Sequence, residues 1–180
     1  MAVVKGERSS YTFVIAPPGL DRSFLHDPGA NSTFSYKDID FDLVGRARLF
    51  HFGYPSLMDK LFVNNGKELV RIFRKVKSLG ATASLDMSFP DPNSPAGKAD
   101  WKAILRATLP HVDIYLPNAE ETMYMLDPKG FLKLKKKAGD GDVLDLISVD
   151  EISAAGARLI EMGAAVVGLK CGIKGLYLRT

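Results

Sequence analysis

The stretch Val112-Asp113-Ile114-Tyr115-Leu116-Pro117-Asn118-Ala119-Glu120-Glu121 constrains the fold more than any other part of the chain. An apolar run stops at Pro117, and Asn118 then precedes an amphipathic segment with Glu121 three residues on. A buried strand that ends where a helix begins reads this way, and strand C-termini are where open α/β sheets hold ligands. Asn at the cap with Glu at the third helical position is a variant of the capping box, which satisfies orphan helix N–H groups. The same Asn and carboxylate, beside free helix N–H groups, also suit a hydrated cation and a phosphate. The two roles are compatible, because cap side chains face the strand-end crevice.

The segments around this stretch repeat its logic. Leu69, Ile72, Phe73 and Val76 recur at helical spacing with Lys and Arg opposite, and Gly80 stops that helix. Ala81 to Leu85 read as a strand ending at Asp86. Asp100 caps a helix carrying Trp101, Ile104, Leu105 and Leu109, which Pro110 closes. Val112 to Leu116 form the next strand. Ser148 and Glu151 make a second capping box ahead of Ile152, Ala155, Leu159 and Met162, with Gly163 at the end. Ala164 to Leu169 then read as a strand, and Gly175 to Arg179 as its hairpin partner. Such alternation predicts an α/β fold with a mainly parallel sheet. Right-handed crossovers align the strand ends at Asp86, Pro117 and Lys170 on one edge. Residues 127–147 read as a long loop of the functional or mobile kind.

The N-terminal part has a different texture. Tyr11, Phe13 and Ile15 alternate within residues 10–16, and Pro17-Pro18-Gly19 ends that strand. Residues 20–35, with Leu20, Phe24 and Phe34, predict two or three short strands or turns standing apart from the main sheet. Residues 46–52 resume as a strand ending at Gly53-Tyr54-Pro55.

Composition narrows the function. With 180 residues, 46% hydrophobic and 25% charged, the chain reads as one folded domain. No apolar run reaches the ~20 residues of a membrane span, and the N-terminus lacks a signal-peptide core. Cys171 is the only cysteine, which fits a reducing cytoplasm. A net charge of +3 gives no case for nucleic acid, and the basic run Lys133, Lys135, Lys136, Lys137 has no aromatic ladder beside it.

Other chemistries find no support in the motifs. The chain has no Walker A run, no Gly-x-Gly-x-x-Gly and no Gly-x-Ser-x-Gly elbow, and His26, His51 and His111 lie far apart. Asp140, Asp142 and Asp145 miss the calcium-loop frame, which needs an oxygen ligand at Leu144 and a glycine at Asp145. Asp86 either faces a phosphate-bound metal or caps the turn after its strand. Lys170-Cys171-Gly172-Ile173-Lys174-Gly175 reads as a hairpin turn or as a loop whose backbone closely approaches a nucleotide.

Taken in order, three segments resemble the ribokinase (phosphofructokinase-B) family of carbohydrate kinases. Gly29-Ala30-Asn31, after Asp21-Arg22-Ser23-Phe24, is similar to that family's short strands covering the sugar. Asp113 to Glu121 is similar to its Asp-Ile-x-x-Pro-Asn-x-x-Glu segment, and Val166 to Gly175 to its glycine turn near the nucleotide. The resemblance implies a three-layer α/β/α ribokinase-like domain, with residues 1–35 as a small projecting lid and 46–180 as a core segment. It implies ATP-dependent phosphorylation of a sugar or sugar-like alcohol, with Mg2+ as cofactor. Asn118, Glu121, Lys170, Gly172 and Gly175 would face the nucleotide, with Glu121 toward the metal. Arg22, Asn31, Gly53 and Asp86 would face the sugar.

Composition and charge predict a cytoplasmic protein with no nucleic-acid or membrane partner, and the resemblance adds a homodimer through the lid strands. Complete members also carry a Gly-Gly motif ahead of these segments and a Gly-Ala-Gly-Asp motif after them, whose Asp is the catalytic base. Neither motif occurs here, so the expectation is the central part of a kinase, inactive on its own. The chain reads Asp86-Met87-Ser88-Phe89-Pro90 where members often have Asp-x-Asn-x-x-Arg, which leaves the sugar open. A non-catalytic pseudokinase or a dimerising interaction module is the alternative.

Overall fold

Five short apolar runs lie side by side in the order in which they are made. In the computed structural model, which describes residues 3–18 and 22–180, they are β3 (Leu49–Gly53), β4 (Thr82–Asp86), β5 (Ile114–Tyr115), β6 (Val166–Lys170) and β7 (Leu176–Arg179). Strands β3 to β6 pair in parallel, and β7 returns antiparallel beside β6 with Lys170 opposite Leu176. Two earlier strands, β1 (Tyr11–Ile15) and β2 (Ser23–Asp27), form an antiparallel sheet of their own. Their residues are exposed on both faces, including Phe13 at 63% and Leu25 at 61%. Gly19, Leu20 and Asp21, which figured in the reading of this region, lie outside the described residues. After β2 the chain makes 3-10 turns at Gly29–Asn31 and Tyr36–Asp38 and then a short helix α1 (Phe41–Val44), rather than further strands.

Helices connect the parallel strands: α2 (Asp59–Ser78), α3 (Trp101–Thr108), α4 (Ala119–Leu126), α5 (Pro128–Ala138) and α6 (Val149–Glu161). Because neighbouring strands are also consecutive, right-handed crossovers return α2, α3, α4 and α6 to one face of the sheet. On that face Phe50, Phe52, Leu85, Tyr115, Val167 and Leu169 meet Leu69, Ile72, Phe73, Ile104 and Leu159 in one apolar core. The opposite face holds Leu49, Leu176 and Leu178, each more than half exposed, and no helix among the described residues covers it. Two layers of the α/β/α arrangement are therefore described here.

Three elements depart from the sequence reading. Helix α2 starts ten residues before Leu69 and is interrupted at Val63–Gly66, where Asn64, Asn65 and Gly66 are left-handed. Strand β5 is only two residues long, although its flanks still bond to the neighbouring strands, with Leu116 N–H donating to the Leu85 carbonyl and the Pro117 carbonyl accepting from Lys170 N–H. The largest departure is at 127–147, which is not a loop: most of its first half is α5. Asp127 caps it by accepting from Gly130 N–H at 3.0 Å, and Pro128 sits where a missing N–H costs nothing. Phe131, Leu134 and Ala138 then line one side, where Phe131 packs with Tyr124 and Val143 in a second small core. Four lysines within 133–137 obscure that apolar stripe in the sequence.

Candidate functional site

The C-terminal ends of β3, β4 and β6 and the start of α4 converge at one edge. Asp86 ends β4, paired in register with Gly53 at the end of β3. Its Oδ1 accepts from the Met87 N–H at 2.8 Å, and both its oxygens accept from Lys170 Nζ at 2.8 Å. Lys170 ends β6 and is bridged to Asn118, and its N–H donates to the Pro117 carbonyl at 3.0 Å. The edge therefore links β3, β4, β6 and the α4 cap by backbone pairing and one ion pair.

At the head of α4 the capping box is complete. Asn118 Oδ1 accepts from Glu121 N–H at 2.7 Å, while Glu121 Oε2 accepts from Asn118 N–H at 2.7 Å. Glu121 is only 6% exposed. Burial raises its pKa to about 7, against the lowering effect of the Asn118 N–H and the Lys170 charge; Asp86 and Glu120 push it further up. A carboxyl whose pKa is raised by burial, near a specific charge partner, marks a candidate functional site.

Next to this pair lies a residue that the sequence offered only as core. Tyr115 is fully buried, and its hydroxyl is the one buried side-chain polar atom without a hydrogen-bond partner among the described residues. Burial raises the phenol pKa well above its ordinary value, and the charges of Glu121 and Asp86 add to it. An unpaired buried hydroxyl costs about 1–3 kcal/mol, and phenylalanine keeps the ring without it. Tyr115→Phe is thus expected to raise the melting temperature, by about 2–4 °C for each kcal/mol recovered. A lower melting temperature in thermal unfolding would show that the phenol finds a partner in solution.

A second feature escaped the sequence. Ser56, after β3, donates to the Ser88 carbonyl at 2.8 Å, and the two hydroxyls lie 2.8 Å apart. This ties the loops after β3 and β4 together at the same edge. Serines in loops carry no spacing signal, so nothing in the sequence marked them.

The remaining expected residues fall in two groups. Gly172 and Gly175 form the turn after Lys170, with φ of +56° and +98°, where a side chain would be strained. Beside that turn, Leu144, Ile147, Ile152, Cys171 and Tyr177 line an apolar cleft of about 210 Å³. Arg22 and Asn31 belong instead to the N-terminal region. The Arg22 guanidinium lies 5.7 Å from the Phe24 ring centre, and Asn31 closes the turn after β2. The edge is held together without them.

The edge suits some metals and not others. Among the described residues no three His, Cys, Asp or Glu side chains gather into a cage. Two carboxyls belong to the edge, Glu121 and Asp86, the second close enough for its charge to raise the pKa of the first. That donor set fits a cation that keeps most of its waters and takes one or two carboxylates, as Mg2+ does.

No established family profile matches the chain. An uncharacterized sugar kinase of Archaeoglobus fulgidus is 24% identical over 178 residues, covering 98% of this chain and 58% of that protein. Fructokinase of Xylella fastidiosa with bound ATP superposes with a TM-score of 0.66 at 19% identity, over 98% of this chain and 48% of the other. The chain has the ribokinase-like fold. An Escherichia coli protein assigned as a ribokinase, in complex with ATP and Mg2+, matches with a TM-score of 0.60 at 22% identity, over 97% and 48%. The resemblance drawn from the motifs thus holds for the fold, and the archaeal relative carries it into the sequence. The chain spans about half the length of the ribokinase-like structures it matches, and 58% of the archaeal protein.

Proposed function

We propose that this chain supplies the phosphate-facing edge of a carbohydrate kinase that transfers a phosphoryl group from ATP to a sugar hydroxyl. The observation that carries the reading is the convergence of Asp86, Asn118, Glu121 and Lys170 at the sheet edge. Similarity to an archaeal sugar kinase and to an ATP-bound fructokinase supports it.

Phosphoryl transfer depends mostly on positioning and charge neutralisation, and this edge offers both. The Lys170 ammonium, 46% exposed, presents positive charge to the phosphates. Asn118, fixed by its reciprocal bonds to Glu121, sets the position of that carboxylate. Glu121, in its ionised form, would hold water-bound Mg2+. When bound, Mg2+ neutralises charge on the phosphate oxygens. The turn at Gly172 and Gly175 lets backbone approach the nucleotide, and the apolar cleft beside it takes the base.

On the sugar side, Asp86 and the backbone at Gly53 accept and donate hydrogen bonds to hydroxyls, while Arg22 and Asn31 approach with β1 and β2 acting as a lid. No Gly-Ala-Gly-Asp lies within these 180 residues, so the reading assigns proton removal to a residue outside them, and the isolated chain turns over no sugar. It places the protein in the cytoplasm, with no nucleic-acid or membrane partner; no described helix is long and apolar enough to cross a membrane.

The exposed apolar side chains of β1 and β2 favour a second reading, in which these strands pair two copies of a non-catalytic module. One experiment separates the two. The full-length protein is assayed for ADP formation with Mg-ATP against pentoses, hexoses and nucleosides. The kinase reading expects sugar-dependent ADP, reduced about tenfold or more by Glu121→Gln without loss of folding. A folded, dimeric protein that forms no ADP with any of them would leave the module.

A further inference from the structure

Away from the strand edge, the outer side of α2 concentrates positive charge in a concave place. Lys67, Arg71 and Arg74 follow each other at helical spacing. With Asn65, Val70 and Ala107 they line a groove of about 460 Å³ between α2 and α3.

Local backbone geometry builds this groove. The left-handed residues Asn64, Asn65 and Gly66 break α2 and restart it at Lys67. A Cβ on Gly66 would stand 2.7 Å from the Ile104 side chain, so the restarted helix begins hard against α3. One cation is fixed in place. The Arg71 guanidinium lies 3.9 Å over the Tyr36 ring and pairs with Glu68 at 3.6 Å, and Glu68 also accepts from the Tyr36 N–H at 3.1 Å. The other two cations are uncompensated. Neither Lys67 nor Arg74 has an acidic partner among the described residues, and Lys77 just beyond is taken by Asp113 at 2.6 Å. The effect reaches His111, whose pKa is lowered first by burial and then by the charges of Arg74 and Lys77.

We propose that this groove binds a small ligand bearing two or more phosphate groups. One oriented guanidinium and two unpaired cations around a shallow apolar floor match several phosphate oxygens on a compact molecule. A nucleic-acid strand is a poorer match. The ring of Tyr36 is already covered by Arg71, so no aromatic face is left to stack a base.

Sodium tripolyphosphate is the probe, titrated into the 180-residue chain at low salt and followed by calorimetry and by NMR of the His111 imidazole. His111 lies beside the groove and so reports this site rather than the strand edge. Saturable binding is expected, with the His111 pKa rising as the bound anion offsets Arg74 and Lys77. The double variant Lys67→Gln, Arg74→Gln should weaken binding about tenfold or more, since two charge-assisted contacts are removed. Lys133→Gln, on α5, should bind as the wild type does. Absence of a His111 shift, or equal binding by the double variant, would overturn the proposal. A single-stranded oligonucleotide that binds through the same residues more tightly than tripolyphosphate would also overturn it.

Discussion

Glu121→Gln is expected to stabilise the protein by about 3 kcal/mol at pH 8, and by less than about 1 kcal/mol at pH 5. Glu121 has an ordinary pKa of 4.5 and a folded one of about 7, raised mainly by burial. The folded state therefore prefers the protonated carboxyl. Below the unfolded pKa the group is protonated in both states, and its contribution to stability is fully present. That contribution fades as pH rises between the two values and is gone above about 7, where folding must bury a carboxylate. Glutamine resembles the protonated acid in shape, and its amide oxygen still accepts from the Asn118 N–H. It cannot ionise, so its stability does not follow this fall. Urea unfolding of both proteins at pH 5, 6, 7 and 8 gives the difference directly. A difference that stays constant across that range would show that Glu121 is solvated, and would remove the case for a carboxyl poised at neutrality.

Phe73→Ala is expected to cost about 3–5 kcal/mol, a large share of the 5–15 kcal/mol that holds a typical domain together. Phe73 is fully buried on α2 and meets the rings of Phe50 and Phe52 edge-on, at centroid distances of 6.1 and 6.4 Å. It is the joint between the longest helix and the edge strand β3. Truncation removes the ring and leaves a void that the rigid sheet cannot close. Phe73→Leu, which keeps most of the volume, should cost less than half as much. Both are read from denaturant midpoints. If alanine costs under about 1.5 kcal/mol, α2 does not pack on β3 as described.

Much of this architecture is legible in the residues because local and long-range signals agree. The stripe Leu69, Ile72, Phe73, Val76 announces its helix, and Pro117-Asn118 announces the switch from strand to helix. The strand-edge group was legible for a topological reason: parallel strands joined by right-handed crossovers must end on the same side. What stayed hidden depends on neighbours distant in sequence. Tyr115 reads as one more apolar strand residue, and only packing leaves its hydroxyl buried beside two carboxyls. Helix α5 was masked because its apolar stripe is thin and its solvent side is nearly all lysine. The left-handed break at Asn64–Gly66 has a local signal in Asn-Asn-Gly, but its close packing on Ile104, some forty residues away, does not.

The main sheet is laid down in chain order, β3 to β7, with no strand inserted between two earlier ones. During synthesis this has a kinetic consequence. Each strand leaving the ribosome finds its partner already made; three helices separate β5 from β6, but only one α-helix separates β3 from β4 and β4 from β5. Loops of one helix close quickly, and contacts that are near in sequence favour fast folding. The sheet can therefore grow by accretion from β3, each new strand docking on a surface that the previous step completed. Once β5 has left the ribosome, β3, β4 and β5 can pair before β6 is made. Limited proteolysis of ribosome-bound chains of increasing length would reveal such growth as protection advancing strand by strand.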